Sequence, residues 1–139
     1  MEESEEIKEL ILKAAKAYEE GDADFWVKLM AQEAKPFILG TDPTEWFIGN
    51  DIIYQYLKPD WGAKKTFTIN MGEVHAFSEG TMGWFVVKCV YKYDNGSELP
   101  LRINGVVHRE SGKWKLVLQN FTLAVPVDKK GLIAEKWNF

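Results

Sequence analysis

The second half of this chain alternates. From Met82 to Tyr93 ("MGWFVVKCVYKY") and from Glu98 to Arg109 ("ELPLRINGVVHR"), inward-type and outward-type residues take turns along the sequence. A period of two places successive side chains on opposite faces, so each run is expected as a strand with one face against a core. Two further runs, about Thr66 to Phe77 and Lys113 to Val125, share the pattern. The connections "SEGT", "DNG" and "ESGK" carry the glycines and small polar residues that tight hairpins require. Four long strands joined in this way form an antiparallel meander.

The hairpins also fix a register. With Asp94-Asn95-Gly96 as the loop, Lys92 sits opposite Glu98. Phe85, Val87, Cys89 and Tyr91 then share an inner face with Leu99, Leu101 and Ile103. The "ESGK" turn pairs Glu110 with Lys113. Strict alternation from there sends Trp114, Leu116, Leu118, Asn120 and Thr122 inward. Asn120 and Thr122 would be polar groups on an apolar face, which calls for a hydrogen-bond network or a solvent-filled cavity. The outer face would hold Trp84, Val86, Val106, Val117, Phe121 and Leu123. That face is too apolar for water alone, and a second copy of the chain is the expected cover.

The first 65 residues read as helices. Ser4 can cap a helix, with Glu5 and Glu6 in its first turn, and Gly21 can end it. Between them Ile7, Leu10, Ile11, Ala14, Ala17 and Tyr18 fall on one face. Asp22 caps a second helix through about Ala31, and a third starts near Asn50 and stops at Pro59. Three helices followed by an antiparallel sheet define the α+β class.

Composition excludes several functions. The net charge is −4 with no concentrated basic face, so nucleic acid is not an expected partner. No apolar run reaches membrane-spanning length, and the acidic start "MEESEE" lacks the positive region of a secretory signal. A cytoplasmic protein is the simplest expectation. Cys89 is the single cysteine and is flanked by valines, which reads as a buried structural thiol. Six Trp and eight Phe exceed the usual need of one small core and suggest an aromatic-lined cavity, an interface, or both.

Three stretches, "AYEEGDADFWVKLMA", "GTDPTEWFIGNDII" and "LRINGVVHRESGKWKLVLQNFT", together resemble the SnoaL-like branch of the nuclear transport factor 2-like superfamily. The resemblance covers nearly the whole chain and lies in the order and spacing of the motifs. It implies a single domain over residues 1–139. Its fold would be a cone-shaped half-barrel, with three N-terminal helices packed on a curved, mainly antiparallel sheet around a deep apolar pocket. It also implies a homodimer through the outer sheet face. Isomerases, cyclases, dehydratases, hydrolases and noncatalytic binding modules share this fold, so the fold leaves function open.

The resemblance extends to ketosteroid isomerase, whose general base precedes a proline in the matching loop. This makes Asp42, in Asp42-Pro43, the candidate base. A carboxylate in an apolar pocket is raised toward useful proton-transfer values. The same correspondence puts the isomerase's tyrosine oxyanion donor at Ala14, with Tyr18 one turn away, and its protonated aspartate at about Gly105. Without those donors an enolate loses its main stabilisation, so steroid isomerisation is not expected. Asp42-Pro43-Thr44-Glu45 is also a capping box, and a capped aspartate is a poorer base. "ILGTDPTEWFIGND" is thus a strand, a capped turn and the start of the third helix.

Tyr18, Cys89, Tyr91, Asn120 and Thr122 are the expected pocket lining, and Trp46 either packs under the turn or joins the wall. Many SnoaL-like relatives carry a histidine where Asn120 stands. Arg102 faces outward in this register, beside Lys88; another register would turn it inward as an anion-binding group. His75 and His108 read as surface or interface residues. No metal-ligand spacing is visible, and no cofactor is expected. Leu132, Ile133, Trp137 and Phe139 are expected to cover the pocket mouth or the partner subunit. The leading expectation is a noncatalytic pocket for a small, largely apolar molecule. The alternative is a lyase or isomerase using Asp42 on a polyketide- or steroid-like substrate, assisted by Tyr18 or Tyr91.

Overall fold

The structure, a computed structural model, describes residues 1–129. The terminal cluster Leu132, Ile133, Trp137 and Phe139 lies outside them. Helix α1 (Glu5–Glu20) starts where the Ser4 hydroxyl accepts the Ile7 N–H at 3.2 Å, and it ends at Gly21, whose φ of 72° is left-handed. Helix α2 (Ala23–Leu29) is capped by Asp22, which accepts the Phe25 N–H at 3.1 Å. Helix α3 (Asn50–Gly62) follows a short hairpin, β2 (Phe37–Leu39) and β3 (Trp46–Ile48). The remaining strands are β1 (Glu2–Glu3), β4 (Phe67–Met71), β5 (His75–Glu79), β6 (Met82–Tyr93), β7 (Glu98–Glu110) and β8 (Lys113–Thr122). The fold is α+β: three helices on a mainly antiparallel open sheet of order β1-β5-β6-β7-β8-β2-β3, with β4 also on β6.

The β2 pairing is the parallel exception: Phe37, Ile38 and Leu39 lie opposite Leu118, Gln119 and Asn120 of β8. The loop before the third helix is thereby bonded to the sheet. The run expected from Thr66 to Phe77 is two strands. β4 pairs with the far half of β6 (Met71 opposite Cys89) and β5 with its near half (His75 opposite Val86). The break falls at Gly72, whose N–H bonds the Lys88 carbonyl at 2.8 Å and whose Cα leaves no space there for a side chain.

Pro59 does not stop α3, which continues through Gly62. The extra turn carries Trp61, which is buried and stacks on Trp26 with ring centroids 5.5 Å apart. Such a stack adds about 0.5–1.5 kcal/mol beyond burial. The bond that Pro59 lacks would go to Gln55, an exposed residue whose carbonyl water can satisfy.

The decisive departure is in β8. The register runs as expected from Glu110–Lys113 and Arg109–Trp114 to Val107–Leu116, then jumps, so that Val106 faces Leu118. Val117 is the extra residue of a β-bulge. Beyond it the faces exchange: Gln119 and Phe121 point inward, and Asn120 and Thr122 point outward. The expected inward placement of Asn120 and Thr122, and the outward placement of Phe121, are corrected accordingly. Gly105 makes the bulge possible. A Cβ there would collide with the Leu118 carbonyl oxygen and lie 2.6 Å from the Phe85 ring. Gly105→Ala is expected to destabilise the protein by about 1–3 kcal/mol through overpacking. The measurement is a lower urea midpoint at unchanged slope.

Candidate functional site

Between the helices and the inner sheet face lies a cavity of about 280 Å³. It exists because α1 turns Ala14 and Ala15 toward it, side chains too small to reach the sheet. Around that gap the wall is aromatic. Tyr18 meets Trp26 edge-on at 6.2 Å, Trp26 stacks on Trp61, and Phe67 lies flat against Tyr91 at 4.5 Å. Ile103, Leu101 and Phe121 form the sheet floor.

The polar groups of the cavity come from three elements. Tyr18 Oη donates to Asp60 Oδ2 at 2.7 Å, joining α1 to the last turn of α3. Burial, reinforced by the Asp60 carboxylate, pushes the Tyr18 pKa well above the usual tyrosine range. Burial likewise raises Tyr91. Both phenols remain protonated. Glu45 enters from the β2–β3 turn, folded over Gly40 so closely that a Cβ on Gly40 would meet its carboxylate at 2.6 Å. In the wall, Trp26 Nε1 and Gln119 Oε1 are buried with no hydrogen-bond partner.

The expected site residues divide. Tyr18 and Tyr91 line the cavity. Trp46 does not, being 65% exposed on the outside of β3. Cys89 is buried behind the cavity, beside Gly72 and Met71, with burial pushing its thiol up to about 11. Asn120, Thr122 and Arg102 are all on the outer face; Arg102 lies opposite Lys88 and Thr122, and the Thr122 hydroxyl donates to the Arg102 carbonyl at 3.1 Å.

Asp42 is exposed and spends its carboxylate locally. Its Oδ1 accepts the Thr44 N–H at 2.8 Å and the Thr44 hydroxyl at 2.6 Å, while Glu45 Oε1 accepts the Asp42 N–H at 2.9 Å. These bonds hold the Asp42 pKa below the usual carboxylate range, the opposite of what a general base at neutral pH needs. The reciprocal bonding expected of a capping box is present, but it closes a hairpin turn between β2 and β3 rather than starting a helix.

The SnoaL-like domain family matches residues 7–126. The chain belongs to this family. No curated protein matches the sequence. Among solved structures the fold is similar to a putative dehydratase of the NTF2-like family from Streptomyces avermitilis (TM-score 0.76, 12% identity, covering 88% of this chain and 96% of that one). It is also similar to an NTF2-like protein of unknown function from Pseudomonas putida (TM-score 0.74, 12% identity, 89% and 88% covered). A third likeness is to the association domain of CaMKII from C. elegans (TM-score 0.66, 12% identity, 84% and 92% covered). At such identities these likenesses establish the fold and nothing finer. At Gly105, the position that the resemblance set against the isomerase's protonated aspartate, a Cβ would meet the Leu118 carbonyl oxygen and the Phe85 ring.

Trp26, Trp61, Phe67, Glu45, Asp60, Gln119 and Phe121 are among the cavity residues that sequence reasoning missed. One signal was available for the last two. Phe121 falls out of phase with Trp114 and Leu116, and the unbroken Leu116-Val117-Leu118 run marks where the phase slips.

Away from the cavity, this SnoaL-like domain has a second polar cluster. Glu33, His108 and Glu110 bring ligand atoms within 4.8 Å of one another. The Glu110 carboxylate is 5% exposed and accepts the N–H groups of Gln32 (2.9 Å) and Glu33 (3.1 Å), fastening the loop after α2 to the sheet. Burial opposes its charge, but these two bonds and His108 outweigh burial, and its pKa is lowered. A carboxyl lowered by folding contributes fully above its unfolded value of about 4.3 and loses that contribution as pH falls through the lower folded value. Glu110→Gln is therefore expected to be less stable than the parent at pH 7 and to lose less stability on acidification below about pH 4. Urea unfolding across that range measures both.

Proposed function

We propose that this SnoaL-like domain binds a small, mostly apolar organic molecule in the aromatic cavity and performs no acid–base chemistry at Asp42. The SnoaL-like fold with neighbours of unknown function fits a ligand-binding domain of unspecified role. The observation that carries the reading is the wall itself: a cavity walled by Tyr18, Trp26, Trp61, Phe67 and Tyr91, in which Trp26 Nε1 and Gln119 Oε1 are buried unpaired. Unpaired buried polar atoms cost about 1–3 kcal/mol each. Aromatic walls with a few polar groups are the usual make-up of small-molecule sites.

Ala15→Phe fills the cavity from α1. Isothermal titration with small aromatic compounds is expected to show binding to the parent and none to this variant, with thermal stability retained. Binding that survives in Ala15→Phe would place the ligand elsewhere. Asp42→Asn is expected to leave affinity unchanged; loss of a measurable turnover in that variant would restore the lyase or isomerase alternative.

The reading includes one domain over the whole chain and a homodimer through the outer sheet face. Phe77, Trp84, Val106 and Leu118 lie side by side on β5, β6, β7 and β8, an apolar row across four adjacent strands. Trp84 is 37% exposed and Val86 48%. Two structures of similar fold are named as association domains, which supports self-association. Trp84→Lys is expected to shift the sedimentation coefficient from dimer to monomer while ligand binding persists. No described helix is long and apolar enough to cross a membrane, and a lone buried thiol fits a reducing compartment such as the cytoplasm.

A further inference from the structure

The charges at the cavity are unbalanced. Among the described residues that line it there are two carboxylates, Glu45 and Asp60, and no Lys, Arg or His. The carboxylates arrive from different elements, the β2–β3 turn and the end of α3, and Asp60 accepts the Tyr18 hydroxyl at 2.7 Å. That hydroxyl spends its proton on Asp60, which leaves its oxygen as a third acceptor. Glu45 has one backbone N–H on one oxygen and keeps most of its acceptor capacity. The rim is therefore rich in acceptors and negative charge. The same cavity is lined by the rings of Tyr18, Trp26, Trp61 and Tyr91, and aromatic quadrupoles attract cations.

The protein already holds one ammonium in this way. Lys65 Nζ lies 4.3 Å from the centroid of the Tyr18 ring and donates to the carbonyls of Asp60 and Ala63 (the latter at 2.7 Å). It is not among the lining residues, and one positive charge against two negative ones leaves the mouth acidic. An anionic ligand would meet two carboxylates in a partly desolvated site, where like charges are costly.

We infer that the ligand is an organic cation: an apolar, ring-sized body seated on the aromatic wall with a protonated amine at the Glu45–Asp60–Tyr18 rim. This rests on the pocket reading above and names its ligand class. The amine N–H groups donate to the two carboxylates and the Tyr18 oxygen, and the ring faces take the remaining charge. The account involves binding alone and no bond is made or broken.

The test compares three head groups on the same bodies: phenethylamine and tryptamine, their neutral alcohols (phenethyl alcohol and tryptophol), and their carboxylates (hydrocinnamate and indolepropionate). Affinities are measured by titration calorimetry and ligand-observed NMR at pH 7 and moderate salt. The amines are expected to bind about tenfold or more tighter than the alcohols, and the carboxylates weakest. In Glu45→Gln/Asp60→Asn the amine preference is expected to vanish while the alcohols bind as before, a result that mere loosening of the fold would not give. Equal binding of amines and alcohols, or tighter binding of carboxylates, overturns the cation inference and leaves the pocket reading standing. Failure of all six compounds up to millimolar concentration overturns both.

Discussion

One extra residue in β8 governs what the inner sheet face can be. With Val117 bulged, the strand satisfies two demands that regular alternation cannot. Trp114 and Leu116 remain in the core under α1 and α2, and Gln119 and Phe121 face the cavity. Without the bulge, Leu118, Asn120 and Thr122 would line that face. The bulge in turn depends on an absence of side chain at Gly105, since the displaced Leu118 carbonyl occupies the space a Cβ would need. The same stretch of β8 receives β2 in parallel, so the turn that presents Glu45 is placed by the bulged strand. Cavity floor and the turn that carries Glu45 share one mechanical origin.

The helices keep the cavity open. Close packing is the rule in protein interiors, and a gap this size persists only if its neighbours cannot collapse into it. Here α1 offers alanines toward the gap. Tyr18 is held at its edge by Asp60, and Trp61 is fixed by its stack on Trp26. The extra turn of α3 past Pro59 supplies both Asp60 and Trp61. A helix that ended at the proline would have left the cavity without its carboxylate pair and half of its tryptophan stack.

The sequence disclosed the local rules and hid the exceptions. Alternation and hairpin chemistry gave β6, β7, their register and the Glu110–Lys113 turn, where Ser111 and Gly112 both take positive φ. Capping gave α1 and α2. The SnoaL-like resemblance supplied the architecture that periodicity alone could not. What stayed hidden depends on tertiary context: a bulge that reverses two faces, a helix that runs on past its proline to a tryptophan stack, and a parallel pairing across 80 residues of sequence between Phe37 and Leu118. Asp42 illustrates the limit most clearly. Its motif was read as a capping box, whose reciprocal bonds are present but close a hairpin instead of opening a helix, and family correspondence also offered it as a base. Direction of the carboxylate, which no motif encodes, separates the two.

The indole signals of a proton–nitrogen NMR spectrum test the central claim most directly, that ligand sits inside the cavity between helices and sheet. Trp26 and Trp61 line it, whereas Trp46 and Trp84 are exposed on other surfaces. On titration with tryptamine, the Trp26 and Trp61 indole resonances are expected to shift together and saturably while those of Trp46 and Trp84 stay in place. Shifts at Trp46 or Trp84 with Trp26 and Trp61 unmoved would contradict the account and put recognition on the protein surface.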